Sequence, residues 1–383
     1  MSVVPDHRGR GSAPMEALGV LYGDGQEVAS RAIVDGLIGR VFDSPQREPL
    51  TGIRRMLTGF AFWSMDKTTR REVRTGPGGS ESTIYHNRIL ERSGHPYIAT
   101  LLRPGDTTAS LVEGGDPMNA IYMMLCPAVE RKARLWDRLL LDSVPSRDVQ
   151  VRFVWETRLT HELASRRLSR REPVRIKAFA AGTGLSVLLV CERLLREGHD
   201  PKLIRAVISD RDPAHSRKTL RVIRKLPLLS DLIDESGRTT HGILVQAEDI
   251  FQPAKTAVGE LPFDVVTAVG ILEYFTGHTY ATTEDRLGEP VSTAKPDAED
   301  LLKVVADQTA DGGHLIVNTH REAAATRILE VFGKHFRYRR PEHLQALAAT
   351  AGFVPVGTRF SGNVYDVEVF RKSEVVAGDR SVS

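Results

Sequence analysis

The chain changes its hydrophobic rhythm three times. From Gly25 to Phe42 apolar residues recur at helical spacing, which predicts a helix. Between 55 and 112 the rhythm shortens. RMLTGFAFWSM, RREVRTG, STIYHNRIL and HPYIATLL are β-branched and aromatic segments parted by Gly, Pro and Asp, and they predict strands or hairpins. Helical periodicity returns over 117–142, with Pro127 expected to kink or break it. It continues over 148–168, where Val151, Val154, Trp155, Leu159 and Leu163 share a face.

From 174 onward short apolar runs alternate with helical patterns. Strands are expected at 174–180, 204–209, 242–247, 263–269 and 313–318, and helices at 185–197, 213–226, 297–309 and 341–351. Two alternating runs at 353–360 and 363–371 close the series as a hairpin with SGN at its turn. The pattern predicts an α/β fold: a doubly wound, mostly parallel seven-stranded sheet with an antiparallel C-terminal hairpin, preceded by an N-terminal α+β region. The length of 383 residues suits such a division, with the α+β region at 16–147 and the sheet at 148–372. The polar ends, 1–15 and 373–383, are expected to be mobile.

Composition narrows the classes. A net charge of +3, with acids and arginines interspersed, lacks the concentrated basic stripe of a nucleic-acid binder. Arg166-Arg167 with Arg170-Arg171 reads as a solvated helix end. The two cysteines, Cys126 and Cys191, sit in apolar runs that suit buried free thiols in a reducing compartment, and they make no zinc pattern, so no metal is expected. MSVVPDHRGRGSAP lacks the apolar core of a signal peptide and no stretch reaches the length of a membrane span, so the expectation is a cytoplasmic protein without a membrane partner. Arg dominates Lys, which hints at a bacterial coding sequence. The aromatics of the hairpin-rich block (Phe60, Phe62, Trp63, Tyr85 and Tyr97) are read as core, and the block as a substrate wall or dimer contact; a homodimer stays open.

Candidate chemistry begins at IKAFAAGTGLSVL, where Gly182 and Gly184 follow the first strand of the sheet. They are either a bare strand-to-helix turn or a loop stripped of side chains so that a ligand can meet backbone N–H groups. The next strand ends in Asp210, where a carboxylate can accept both hydroxyls of a ribose. QAEDIF places Glu248-Asp249 after the strand that follows, either as a partner for an adenine amine or as a helix cap. FDVVTAVGILEYF is a buried strand running through Val269 and Gly270 into Glu273-Tyr274.

The order FAAGTG, SDRDP, AEDIF, FDVVTAVGILEYF, GGHLIV and a terminal strand pair resembles the class I (Rossmann-like) S-adenosylmethionine-dependent methyltransferases over residues 174–371, in their bacterial small-molecule form. The resemblance implies S-adenosylmethionine as cofactor and S-adenosylhomocysteine as product. It places Ala180, Ala181, Gly182, Thr183 and Gly184 at the methionine part of the donor. It makes Asp210 the ribose carboxylate and Asp249 the adenine-amine partner, counts Arg211, Glu248 and Ile250 among the cofactor contacts, and lets residues 269–274, with Val269 and Gly270 first, line the floor near the methyl. Two positions depart from the family's loop, which carries an acid and then a glycine where this chain has Ala178 and Ala180. An acid there normally organises the loop and reaches the donor's amine through water, so loss of methyl transfer stays open.

For an acceptor hydroxyl or amine a general base helps; for a carboxylate none is needed. His320 is the first choice for a base, with Glu273 and Tyr274 as other catalytic candidates and His278 and Tyr280 as substrate contacts, each against the reading of a surface or capping residue. The long segment 276–296 is either a lid or a surface insertion. O-methylation of a small molecule, of the kind met in secondary metabolism, is the expected activity. A cyclase or other non-methylating use of the same cofactor, a binding protein, and lastly a dehydrogenase compete with it. The last lacks its third glycine, because Val187 stands there.

Overall fold

The structure, a computed structural model, describes residues 27–44, 70–75, 81–86, 121–122, 125–132, 143–224, 226–235, 239–252, 262–275, 296–321 and 337–374, with 52–53, 56–57, 60 and 64. Seven strands form one sheet: β3 (Val174–Ala178), β4 (Ile204–Asp210), β5 (Gly242–Ala247), β6 (Phe263–Ala268), β7 (Thr309–His320), β8 (Phe353–Ser361) and β9 (Tyr365–Lys372). Their order is β5-β4-β3-β6-β7-β9-β8. The first five run parallel, β9 inserts antiparallel beside β7, and β8 pairs antiparallel with β9 at the edge. This is the doubly wound sheet expected from the alternation, hairpin included.

Both faces are covered, so the strands read as nearly continuous apolar runs, and alternate residues serve two cores. Val265, Ile316, Val367 and Val369 face one core with Ile176, Ala178 and Ile208. Val266, Ala268, Leu315, Val317 and Phe370 face the other. The first core is closed by α1 (Glu27–Ile38), α3 (Val144–Leu168), α4 (Leu185–Arg196) and α5 (Pro213–Arg224). The second is closed by α7 (Ala298–Gln308) and α8 (Pro341–Thr350). Two shorter helices are α2 (Pro127–Lys132) and α6 (Pro227–Ser230).

Helix α3 starts at Val144, with Pro145 in its first turn, where a missing N–H costs nothing. All residues from Val144 to Val154 are buried, so this end of the helix is a core element and not an amphipathic cover. Its Asp148 accepts hydrogen bonds from the Val364 amide and from Asn363 Nδ2, and so holds the β8–β9 turn. A Cβ on Gly362 would lie 2.7 Å from Asp148 Oδ2, which is why that turn position is glycine.

The N-terminal region corrects two expectations. β1 (Arg70–Thr75) and β2 (Glu81–His86) form the predicted antiparallel hairpin. The positions 52–53, 56–57, 60 and 64, however, are helical, where the aromatic content of RMLTGFAFWSM suggested strand. Ile53, Met56, Leu57 and Phe60 recur at three- and four-residue intervals, the helical period, and that period prevails over composition. Phe60, expected in the core, is 64% exposed. Pro127 opens a short helix after a turn at Leu125–Cys126, which is the break anticipated there. Phe62, Trp63 and Tyr97 lie outside the described residues, as do His278, Tyr280, most of the 276–296 segment and both polar ends apart from Ser373 and Glu374.

Candidate functional site at the switch point

Sheet order reverses at β3, which has β4 on one side and β6 on the other, and the connections after these strands open a crevice at their carboxyl ends. The loop after β3 is fixed by backbone: Phe179 N–H donates to Thr267 O (2.9 Å) and Ala181 N–H to Ser209 O (3.0 Å). Ala180, Gly182 and Gly184 all have positive φ, at 47°, 57° and 61°. At Gly184 a side chain is also sterically barred, since a Cβ would stand 2.4 Å from Ile208 Cγ2. Gly184 then caps α4, whose first turn carries Leu185 and Ser186.

Asp210 joins this loop to the end of β4. Its Oδ2 accepts from the Gly182 amide (2.8 Å), and its Oδ1 accepts from the Asp212 amide (2.9 Å) and lies 3.1 Å from His215 Nδ1. Burial works against its charge, but the hydrogen bonds from His215 and the Asp212 amide, the His215 charge and the Gly182 amide outweigh it, and the carboxyl is held below its ordinary 3.8. A fixed carboxylate thus stands at the mouth of the crevice. Arg211, beside it, is exposed.

Of the next acidic pair only Asp249 remains at the strand ends, half-buried, with Oδ1 accepting from the Phe251 amide (3.0 Å) in a local turn. Glu248 corrects its expected role at the adenine. Its Oε2 is drawn inward to Lys177 Nζ (2.5 Å) and Gln246 Nε2 (2.5 Å), and the ion pair is buried on both sides. Lys177 sits on β3 where the alternation calls for an apolar residue of the second core, and Phe179 and Phe263 rings lie 5.0 and 5.7 Å from its Nζ. Ile250 packs against that core.

The other side of the crevice is built from β6, β7, β9 and α3. Val269 and Gly270 are half-buried at the tip of β6, and the Gly270 amide donates to Asn318 Oδ1 (2.6 Å). Against Gly270 lies a guanidinium that the sequence reading missed. A Cβ there would meet Arg152 Nη2 at 3.4 Å. Arg152 is 3% exposed, its Nη1 is 3.6 Å from Glu273 Oε1, and its Cζ lies 4.5 Å from the centre of the Tyr365 ring. Yet Nε and Nη1 have no hydrogen-bond partner. One turn further along α3, Glu156 is also buried. It accepts from Ser186 Oγ (2.9 Å) and from the Thr267 side chain, and Thr267 is the register partner of Ala178. Burial pushes the Glu156 carboxyl up to about 7 against the pull of Ser186, Arg152 and Thr267.

The catalytic candidates separate. Glu273 is buried beside Arg152, and burial raises its pKa in spite of the Arg152 and Arg339 charges. Tyr274, next to it on a short 3₁₀ turn, points outward and is 56% exposed. His320 ends β7 as expected but is fully buried, with its ring 4.7 Å from Tyr365 and 5.4 Å from Tyr338. Burial and the Arg152 charge push its pKa down to about 3. An imidazole so far below neutrality is a poor proton acceptor, because base strength follows pKa. His320 therefore does not suit the base role expected of it.

A signal for the missed pair was present. Asp148, Arg152, Glu156 and Thr160 stand four residues apart along a stretch otherwise rich in apolar residues, so all four fall on one stripe of α3. All four are buried. Polar groups on a buried stripe need partners or a ligand.

Strand order, a glycine loop at the switch point and an acid at the tip of the neighbouring strand define a doubly wound α/β protein with a candidate ligand crevice at the carboxyl ends of its strands. No family model matches the chain, and no curated protein matches it. Solved structures do. Magnesium protoporphyrin IX methyltransferase from Synechocystis PCC 6803 with bound SAM is 10% identical, with a TM-score of 0.38, over 60% of this chain and 83% of that one. The CurJ carbon methyltransferase is 12% identical, with a TM-score of 0.43, over 95% of this chain and the whole of that one. The cyclase SpnF is 15% identical, with a TM-score of 0.37, over 57% of this chain and 81% of that one. At such scores no residue of this chain takes a role from its counterpart, and function has to follow from the side chains described above.

Proposed function

We propose that the chain binds S-adenosylmethionine in the switch-point crevice and supports methyl transfer to an oxygen of a small-molecule acceptor. The observation that carries this reading is Asp210: an ionised carboxylate at the tip of β4, hydrogen-bonded to the Gly182 amide of a side-chain-poor loop. With Oδ1 engaged by Asp212 and His215, the Oδ2 of this carboxylate keeps capacity for one further hydrogen bond, as from a ribose hydroxyl, and Asp249 at the end of the next strand is placed toward the base. The Arg152 guanidinium that fills the space beside Gly270, with its Nε lacking a hydrogen bond, suits the anionic part of the molecule. When bound, the cofactor supplies an already activated methyl group. The chain's own part is then to orient the acceptor and exclude water.

Next to Gly270 itself His320 holds a proton too weakly and Glu273 is committed to Arg152; the carboxyl raised to about 7, Glu156, lies by the β3 loop instead. That supports an acceptor that arrives already ionised, a carboxylate or an acidic phenol. It also supports the second reading, a non-methylating reaction in the same crevice, which needs no base for methyl transfer. Buried free thiols at Cys126 and Cys191 fit a reducing bacterial cytoplasm as the setting.

Calorimetric titration with S-adenosylmethionine, S-adenosylhomocysteine and NADH tests the proposal. Micromolar binding of both sulfur ligands, no response to NADH, and at least tenfold weaker binding by Asp210→Ala are expected. Silence with both sulfur ligands would sink it. Release of S-adenosylhomocysteine on turnover separates methyl transfer from the second reading.

A further inference from the structure

Arg152 and Glu156 are oppositely charged and sit one turn apart on the same buried stripe of α3. Arg152 lies toward the tip of β6 and Glu156 toward the loop after β3. Arg152 lies on Gly270 at the tip of β6: its Nη2 reaches the Tyr122 hydroxyl at 3.5 Å, its Nη1 has only the longer ion-pair contact with Glu273, and its Nε has no hydrogen bond. A buried donor left in that state is costly, so it calls for an acceptor from outside the chain. The carboxylate within ion-pair reach of Arg152 is Glu273, at 3.6 Å, and not Glu156. Glu156 is instead held by two hydroxyls, from Ser186 just behind Gly184 and from Thr267 beside Ala178. Two neutral donors orient a carboxylate without cancelling its charge. A cation is therefore welcome next to the β3 loop and an anion next to Gly270.

The sheet gives the distance between these features and Asp210. Strands β4, β3 and β6 are consecutive neighbours, so the tips of β4 and β6 stand about 10 Å apart, two strand spacings. A nucleoside whose ribose rests on Asp210 therefore extends its 5′ substituent across the β3 loop toward α3. We infer that Arg152 and Glu156 together form a receptor for an α-amino-acid zwitterion, with Arg152 taking the carboxylate and Glu156 the ammonium of the donor's amino-acid end. This rests on the donor reading above. It also accounts for Ala178: the negative charge absent from the end of β3 is delivered to the same place by α3, over Thr267, the strand partner of Ala178.

The test compares two thioethers that share one nucleoside. S-Adenosylhomocysteine carries the amino-acid end; 5′-methylthioadenosine lacks it. Titrated calorimetrically into the full chain, the first should bind the wild type at least a hundredfold more tightly. Glu156→Gln and Arg152→Met should each weaken S-adenosylhomocysteine about ten- to hundredfold and leave 5′-methylthioadenosine unchanged, which also shows that the variants fold. An analogue that keeps the amine but has no carboxylate should be weakened far more by Glu156→Gln than by Arg152→Met, which reaches it only through the Glu156 charge. Should Arg152→Met fail to fold, the isosteric Glu156→Gln carries the comparison alone. Equal affinity of the wild type for both thioethers, or equal weakening of both by the variants, overturns the receptor while the nucleoside site stands. Failure of both thioethers to bind the wild type overturns the donor reading and the receptor with it.

Discussion

Ala180 and Gly184 bracket the β3 loop and share a backbone conformation, yet their side-chain constraints are opposite. Ala180 has φ 47° but is exposed, so its Cβ meets only the intrinsic penalty of the left-handed region. Gly184 has φ 61° and a wall, Ile208, behind it. Ala180→Gly should therefore raise stability slightly, by up to about 1 kcal/mol. Gly184→Ala should lower stability by about 1–3 kcal/mol, through overpacking added to the strain. Chemical denaturation of the two variants side by side checks both signs. The sequence showed Ala180 as a departure from the family's glycine; it could not show that the backbone keeps the glycine-like conformation, because a φ angle has no signature in composition. Glycines 182 and 184 and Asp210 were legible for the converse reason, since small residues and an acid at strand ends are tied to position.

At the scale of elements, the charged stripe of α3 was hidden by the apolar residues around it. Reading a helix by its hydrophobic face assumes that the opposite face meets water, and the first half of α3 has no such face. Lys177 on β3 was overlooked in the same way: a lone lysine in an apolar strand carries no sign of the Glu248 that meets it from beyond β5. That pair makes a specific forecast. Lys177→Met alone strands a buried carboxylate and should cost about 3–5 kcal/mol. Lys177→Met with Glu248→Leu should recover most of that loss, because two apolar residues restore the second core. Thermal unfolding of the single and double variants decides the matter, and a double variant no better than the single would mean that the pair does more than compensate its own burial.

For the whole molecule, the buried carboxyl of Glu156 leaves a mark on stability against pH. Its pKa rises from 4.5 in the unfolded chain to about 7 in the fold, so between these values the folded state binds more protons. Stability from this group is then fully present below pH 4.5 and is lost as pH rises toward 7, at about 1.4 kcal/mol per unit where the difference is complete. The groups facing it do not confuse the reading: Arg152 stays charged, and Ser186 and Thr267 do not titrate. Glu273 shifts in the same direction and Asp210 in the opposite one, but both are common to wild type and variant. Denaturant titrations from pH 4.5 to 7.5 should show wild type losing stability relative to Glu156→Gln; parallel curves would place the carboxyl in contact with water.

Sheet order has a further consequence, for how the protein is made. β9 follows β8 in the chain but lies between β8 and β7. Until residues up to Lys372 have left the ribosome, β8 has no strand to pair with, β7 keeps an open edge, and Asp148 of α3 waits for the turn at Asn363–Val364. The parallel half can assemble during synthesis, but closure of the sheet is the last event, and a nascent chain paused before β9 exposes the edge most able to recruit a neighbour's strand.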